Sequence, residues 1–123
     1  MPNRNSQFFL LSQSLVGDGW LSPNCYSNHF DDPENEPGVY LIVAADNQTF
    51  KKGAVAYVGM SHKLAQRLAG HPVKTLVEKS GLWPMVWFKR FPKHALRKVE
   101  REYIQKFDHP LNVMGKKPKA IAL

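Results

Sequence analysis

Short apolar runs and amphipathic segments alternate along the chain after residue 37. Val39 to Ala45 is an apolar, β-branched run and Ala54 to Val58 is a second one, so the two predict strands joined by a long loop with a basic tip. Met85 to Phe91 predicts a third strand. Apolar residues at three- and four-residue spacing predict helices over residues 63–69, 73–79 and 93–107. The predicted order is therefore strand, strand, helix, helix, strand, helix. We expect Gly81 and Pro84 to end the second helix, and the region of Pro110 to end the third.

One carboxylate interrupts the apolar face of the last predicted helix. Glu100 falls in the middle of that face, between Leu96 and Ile104, whereas the solvated side of the helix carries basic residues such as Arg97 and Arg101. An unpaired carboxylate is costly to remove from water. We therefore expect a metal, a cation or hydrogen-bond donors to hold Glu100.

Two cationic or titratable side chains follow the apolar stripe of the first predicted helix. Arg67 and His71 continue the spacing of Leu64 and Leu68. Arg67 either belongs to a site or extends past the leucines to solvent. His71 either continues the helix or is an ordinary loop histidine, because Gly70 and Pro72 can end the helix before it.

Composition narrows the class of protein. The chain has 123 residues and a mass of 14.0 kDa, enough for one domain with one core. A single cysteine, Cys25, excludes an internal disulfide and a multi-cysteine zinc site. There is no run of about 18 apolar residues and no secretory pattern at the amino terminus. We expect an intracellular, cytoplasmic protein that does not interact with a membrane.

The net charge of +7 is distributed unevenly. Residues 1–50 hold one basic and six acidic side chains, and residues 51–123 hold sixteen basic and four acidic ones. A strongly cationic segment attracts phosphate polymers through counterion release, although anionic membranes and acidic proteins attract it too. The second part of the chain is thus a candidate nucleic-acid-binding region.

The chain divides into three segments. Residues 1–37 form an amino-terminal extension that packs on the domain or is partly flexible, and the acidic run of residues 31–37 at its end predicts a connecting loop. Residues 38–114 form the main domain. Residues 115–123 form a basic tail.

An ordered set of motifs runs through the main domain. Gly38-Val39-Tyr40 lies at the first strand, Tyr57-Val58-Gly59 lies at the second, and Arg67 follows Gly59 by eight residues. Glu100 is followed by Ile104, Pro110 and Asn112. This set resembles the GIY-YIG nuclease family, as a compact single-domain member, over residues 38–113. The departures are a longer loop after Tyr40, an extra residue before Pro110, and valine in place of isoleucine in both motifs.

The resemblance implies a fold and a set of roles. The fold is a small α/β (α+β) domain with a three-stranded antiparallel sheet flanked by helices. Glu100 would bind one divalent cation, Mg²⁺ or Mn²⁺, and Arg67 would pair with phosphoryl oxygens. Tyr40 would be the general base or orient the water, with His71 as its proton acceptor, and Tyr57 would position water or phosphate. The implied catalytic set is Tyr40, Tyr57, Arg67, His71, Glu100 and Asn112.

Supporting residues are assigned around this set. Gly38 and Gly59 would allow close backbone approach or positive φ. Ser61 is a phosphate ligand or a helix cap. Without the motifs, the two tyrosines would be core-edge residues and Asn112 a turn residue. The expected nucleic-acid-binding residues are Lys51, Lys52, Ser61, Lys63 and Lys89.

The expected function is a metal-dependent endonuclease that hydrolyses phosphodiester bonds in DNA. The alternative is a non-catalytic nucleic-acid-binding module on the same scaffold, because binding needs only the cations. A homodimer or a protein partner, the latter recruited through the amino-terminal extension, is compatible with either.

Overall fold

The computed structural model describes residues 7–23, 31–46 and 51–107. A 3-10 turn at Lys93–Ala95 leads into the last helix. The helices are α1 (Gln7–Gly17), α2 (Leu64–Ala69), α3 (Pro72–Lys79) and α4 (Leu96–Phe107), and the strands are β1 (Gly38–Asp46), β2 (Gly53–Ser61) and β3 (Leu82–Arg90). The order of elements from β1 to α4 is the predicted one. The predicted fold class, α+β with one three-stranded antiparallel sheet, is confirmed.

Strand β1 lies in the middle of the sheet, between β2 and β3, and is antiparallel to both. Its residues from Gly38 to Ala45 are all buried, which explains why they form an apolar run with no alternation. A change of register between Ile42 and Val43 marks an irregularity in the pairing with β2.

Helices cover both faces of the sheet. On one face, α2 and α3 pack against a cluster that includes Tyr40, Ile42 and Phe88. On the other face, α1 and α4 pack against a cluster that includes Leu41 and Trp87. Each helix therefore presents side chains to one face only. Within the described ranges, no helix is long and apolar enough to cross a membrane.

The described part of the amino-terminal extension belongs to the core. Leu15 and Trp20 are buried, and Leu21 forms an isolated bridge with Phe88 of β3. Helix α1 itself was not predicted. Its apolar residues Phe8 to Leu11 are consecutive, so they lack the helical period that the other helices show.

The predicted boundary at Pro84 is corrected. Pro84 does not end a helix; it lies inside β3, which begins at Leu82. An edge strand tolerates a proline because one of its sides needs no ladder hydrogen bonds. Helix α3 ends at Lys79, as predicted, with Ser80 as its cap and Gly81, the other predicted end signal, at a φ of 77°.

The acidic run before β1 caps helix α2. The backbone carbonyls of Glu36 and Glu34 accept hydrogen bonds from the N–H groups of Leu64 and Ala65, and the side chain of Asn35 accepts one from Gln66. Three of the free N–H groups at the start of the helix are satisfied in this way.

Candidate active site

The two motif glycines make room for side chains. Gly59 pairs with Tyr40 across the sheet, and a Cβ atom on Gly59 would overlap the ring and hydroxyl of Tyr40. A Cβ atom on Gly38 would come within 2.6 Å of Leu64 Cδ1 and would also crowd the carbonyl oxygen of Lys89. Neither glycine has a positive φ. Of the two predicted reasons for these glycines, close approach is therefore the one that applies.

Two side chains hydrogen-bond to the hydroxyl group of Tyr40, and a third packs beside its ring. His71 Nε2 lies 2.8 Å from Tyr40 Oη, and Arg67 Nε donates a hydrogen bond to the same oxygen over 3.3 Å. The ring of Tyr57 stacks beside that of Tyr40, with 6.1 Å between the centroids, and meets His71 edge-on at 5.0 Å. The structure thus brings together four of the six residues expected to be catalytic.

His71 does not lie on the face of α2. That helix ends at Ala69, and His71 instead caps the amino terminus of α3, with only 2% of its surface exposed. Its Nδ1 atom accepts a hydrogen bond of 3.1 Å from the backbone N–H of Val73. It is neither a helical residue on the stripe of α2 nor an ordinary exposed loop histidine.

The cap fixes the tautomer of His71. A nitrogen that accepts a hydrogen bond carries no proton, so the proton of the neutral imidazole is on Nε2. Nε2–H therefore donates to Tyr40 Oη. This direction is opposite to the expected role of His71 as acceptor of the Tyr40 proton.

Burial sets the protonation of both groups. It lowers the pKa of His71 to about 4, and the nearby charges of Arg67 and Lys74 act in the same direction. Burial raises the pKa of Tyr40 to about 12, whereas the hydrogen bond from Arg67 opposes the rise. At neutral pH the pair is a neutral imidazole that donates to a neutral phenol.

Arg67 covers the hydroxyl group of Tyr40 from the solvent side. The Arg67 residue is exposed, but only 1% of Tyr40 is. The hydrogen bond to Tyr40 raises the pKa of Arg67, and burial opposes this. Arg67 thus both extends toward solvent and belongs to the cluster, so the two predicted alternatives are not exclusive.

Glu100 approaches the same region from the other face of the sheet. Its carboxylate is half-buried and accepts a hydrogen bond from the backbone N–H of Met60 in β2. Burial raises the pKa of Glu100, and Arg97 and the Met60 hydrogen bond oppose the rise. The charge of Glu100 in turn raises the pKa of Tyr40, so the two residues are electrostatically coupled.

The predicted position of Glu100 is confirmed. It lies on the inward face of α4 together with Leu96, Val99, Tyr103, Ile104 and Phe107, whereas the other residues of the helix are exposed. The expected hydrogen-bond donor is present, as the Met60 N–H.

The donor set can be compared with what a divalent cation needs. Within residues 7–23, 31–46 and 51–107, no three His, Cys, Asp or Glu side chains form a complete metal-binding group. A single accessible carboxylate with one oxygen fixed by a backbone N–H fits a hard cation that keeps most of its water ligands. Glu100 is the residue that fits this role.

The remaining predicted residues are distributed over the molecule. Ser61 and Lys63 line a groove with His62, Gln66 and Arg67. Ser61 Oγ accepts a hydrogen bond of 3.0 Å from the N–H of Lys63, which precedes α2, so it does not bond to an N–H of the helix itself. Asn112 lies outside the described residues.

Three of the predicted basic residues lie away from the cluster. Lys51 and Lys52 precede β2, whereas Met60 is near the end of that strand. A strand rises about 3.3 Å per residue, so Lys52 and Met60 are roughly 25 Å apart. Lys89 points to the face of the sheet that α1 and α4 cover, which is opposite to the face that carries Tyr40 and His71. Its amine hydrogen-bonds to Tyr103 at 3.3 Å and lies 3.7 Å from Asp18.

Two residues near Glu100 were not predicted to be functional. Arg97 and Arg101 were assigned to the solvated side of α4, but they line a groove together with Glu100. The signal in the sequence is that Arg97 lies three residues before Glu100 and four before Arg101, because residues at these spacings are neighbours on a helix surface.

Comparison of the chain with protein-family models, curated proteins and solved structures finds no match.

Proposed function

We propose that this protein is a metal-dependent endonuclease that hydrolyses phosphodiester bonds in DNA by a GIY-YIG-type mechanism. One observation carries the proposal: Tyr40, Arg67 and His71 form a hydrogen-bonded cluster that is electrostatically coupled to Glu100. A phenol and a guanidinium in contact, with a carboxylate whose charge acts on the phenol, supply the groups that phosphodiester hydrolysis needs to activate a water and neutralise the phosphoryl oxygens.

Arg67 would bind the scissile phosphate. Its guanidinium hydrogen-bonds to Tyr40 through Nε and also to the side chain of Tyr57, and the planar fork has five N–H donors in all, so it can still pair with phosphoryl oxygens. Because Arg67 covers Tyr40, its movement toward a phosphate would also give the attacking water access to the Tyr40 hydroxyl.

Glu100 would hold the divalent cation, Mg²⁺ or Mn²⁺. The Met60 N–H fixes one side of the carboxylate and leaves the other for the ion. When bound, the ion would lower the pKa of a coordinated water and stabilise the charge on the phosphoryl oxygens. Neutralising Glu100 would also remove a charge that raises the pKa of Tyr40.

His71 would position Tyr40 rather than accept its proton. Its Nε2–H and the Arg67 Nε–H both point to Oη, and two donors stabilise a phenolate better than a phenol. Tyr40 would take the proton of the attacking water in its phenolate form, after losing its own proton to solvent. Tyr57 would hold the ring of Tyr40 in place by stacking.

The second candidate is a non-catalytic nucleic-acid-binding module. The 1% exposure of Tyr40 favours it, because a general base must reach the attacking water. The basic groove around Lys63 and Arg67 would serve binding without turnover. Either function would place the protein inside the cell, with DNA as its partner, and is compatible with a homodimer or a further protein partner.

A cleavage assay separates the two functions. Supercoiled plasmid, single-stranded DNA and structured RNA are incubated with the full chain, with and without Mg²⁺, beside the Glu100→Ala variant. We expect metal-dependent nicking of DNA by the wild type. Glu100→Ala should reduce the rate by about a hundredfold or more, while circular dichroism shows an intact fold.

The outcomes are distinct. A folded Glu100→Ala variant that cuts as fast as wild type would overturn the metal role. Salt-sensitive binding of DNA that stays uncut in every metal would favour the binding module.

A further inference from the structure

A shallow groove lies beside Glu100. It has a volume of about 350 Å³ and is lined by Met60, Arg97, Glu100, Arg101 and Ile104. Two guanidinium groups and one carboxylate give it a net positive charge. From its position and charge we propose that Arg97 and Arg101 form a second phosphate-binding site, which holds a backbone phosphate of the DNA strand next to the one that is cleaved.

Arg97 and Arg101 differ from the basic residues that serve the fold. Arg90 is bound to Asp31 at 2.9 Å and to Glu36 at 2.6 Å, and Lys89 lies 3.7 Å from Asp18. Within the described part of the chain, Arg97 and Arg101 form no such ion pair at contact distance, the charge of Arg97 acts on Glu100 without one, and both residues are exposed. Their donors are therefore available for an anionic ligand.

The spacing of the two arginines suits a phosphate. They are one helical turn apart on α4, so their Cβ atoms are separated by about 5–6 Å and both guanidinium groups can reach the same anion. Guanidinium groups bind phosphate oxygens through two parallel hydrogen bonds, which fixes its position as well as its charge.

The position of the groove connects it to the proposed active site. Met60 lines this groove, and the next residue, Ser61, lines the groove that contains Lys63 and Arg67. Glu100 borders the first groove and binds the backbone of Met60. A strand whose scissile phosphate is at Arg67 would therefore pass Glu100 and reach Arg97 and Arg101.

The proposal rests on the proposed function for the identity of the ligand, but it can be tested without cleavage. Binding of a short fluorescein-labelled DNA duplex is measured by anisotropy in EDTA, over about 50 to 200 mM salt, for the full chain and for the Arg97→Gln, Arg101→Gln double variant. The control is Lys98→Gln, which removes one charge from the same helix outside the groove and is matched in charge to each single variant, Arg97→Gln and Arg101→Gln.

We expect the double variant to bind at least tenfold more weakly than Lys98→Gln at the lowest salt. The slope of log K against log salt should fall by about 0.9 for each phosphate contact that is lost. Single Arg97→Gln and Arg101→Gln variants should each show part of the loss. In cleavage they should raise KM with little change in kcat, since they act on binding.

The two proposals fail in different ways. If the double variant binds with the affinity and salt slope of Lys98→Gln, the second phosphate site is wrong, whether or not the protein cleaves DNA. If wild type never cleaves DNA but the double variant still loses affinity and slope, the site stands and the endonuclease proposal falls. Circular dichroism of all variants checks that each one is folded. If the double variant does not fold, the two single variants are compared with Lys98→Gln in its place.

Discussion

Replacing His71 by asparagine tests the hydrogen bonds at the centre of the cluster. Asparagine is a good helix N-cap, so its side-chain oxygen can accept the Val73 N–H as Nδ1 does now. The shorter side chain cannot reach Tyr40 Oη, which His71 contacts at 2.8 Å. We expect His71→Asn to lower the free energy of unfolding at neutral pH by roughly 1–3 kcal/mol, from one lost hydrogen bond and the space that is left.

The effect should depend on pH in a defined direction. Burial lowers the pKa of His71 in the folded chain to about 4, whereas the ordinary value is 6.5. The unfolded chain therefore binds a proton at His71 between these values and the folded chain does not. The stability from the neutral imidazole is fully present above about pH 6.5 and is lost as the pH falls toward 4. At about 1.4 kcal/mol per pKa unit, the loss in wild type reaches roughly 3 kcal/mol, and His71→Asn avoids it.

The assay is urea unfolding of both proteins, followed by tryptophan fluorescence at several pH values between 7 and 4.5. The stability advantage of wild type should shrink, or reverse, as the pH falls. His94→Asn is the control, because His94 is exposed and should change stability by less than about 0.5 kcal/mol. A stability difference that is constant over this range would refute the buried neutral histidine. NMR of the imidazole nitrogens that finds the proton on Nδ1 would refute its role as donor.

Two further predictions concern the tyrosine at the centre of the site. Gly59→Ala should destabilise the protein by about 1–3 kcal/mol, because the new Cβ atom would overlap the Tyr40 ring. The control is Gly17→Ala, which should be neutral or stabilising because there is open space around Gly17. Equal urea midpoints for the two variants would contradict this prediction. If Tyr40, with a pKa of about 12, acts as a phenolate, the cleavage rate should rise nearly tenfold per pH unit above neutral until the fold fails. A rate that does not change with pH would remove Tyr40 as the base.

Much of the fold can be predicted from the sequence because the spacing of apolar residues along the chain follows which side chains are buried. The unbroken run of β1 and the spacing of α4 both reflect which side chains face the core. Helix α1 escapes prediction because it packs with consecutive apolar residues and has no clear apolar stripe. The prediction for Pro84 was wrong because a proline ends a helix but is tolerated on an edge strand.

The site is predicted less completely, and the reason is its dependence on contacts distant in sequence. Spacing places Arg67 and His71 four residues apart, but Gly70 ends the helix between them. His71 reaches Tyr40 through the cap of α3, which no periodicity reports. Similarly, a helical wheel places Glu100 on the apolar face but does not indicate where the sheet ends beneath it. The position of β2 at the edge decides that Glu100 is only half-buried.

The edge position of β2 leaves part of its backbone open to Glu100. Tyr40 and His71 lie on one face of the sheet. Glu100 and Arg97 lie on α4, which packs against the other face. In a central strand, the Met60 N–H would be bound by a neighbouring strand, and a sheet would separate the two sets of side chains. On an edge strand this N–H is open to the Glu100 carboxylate. A further strand added to β2 would therefore displace Glu100, so the proposed site requires that this edge stay unpaired.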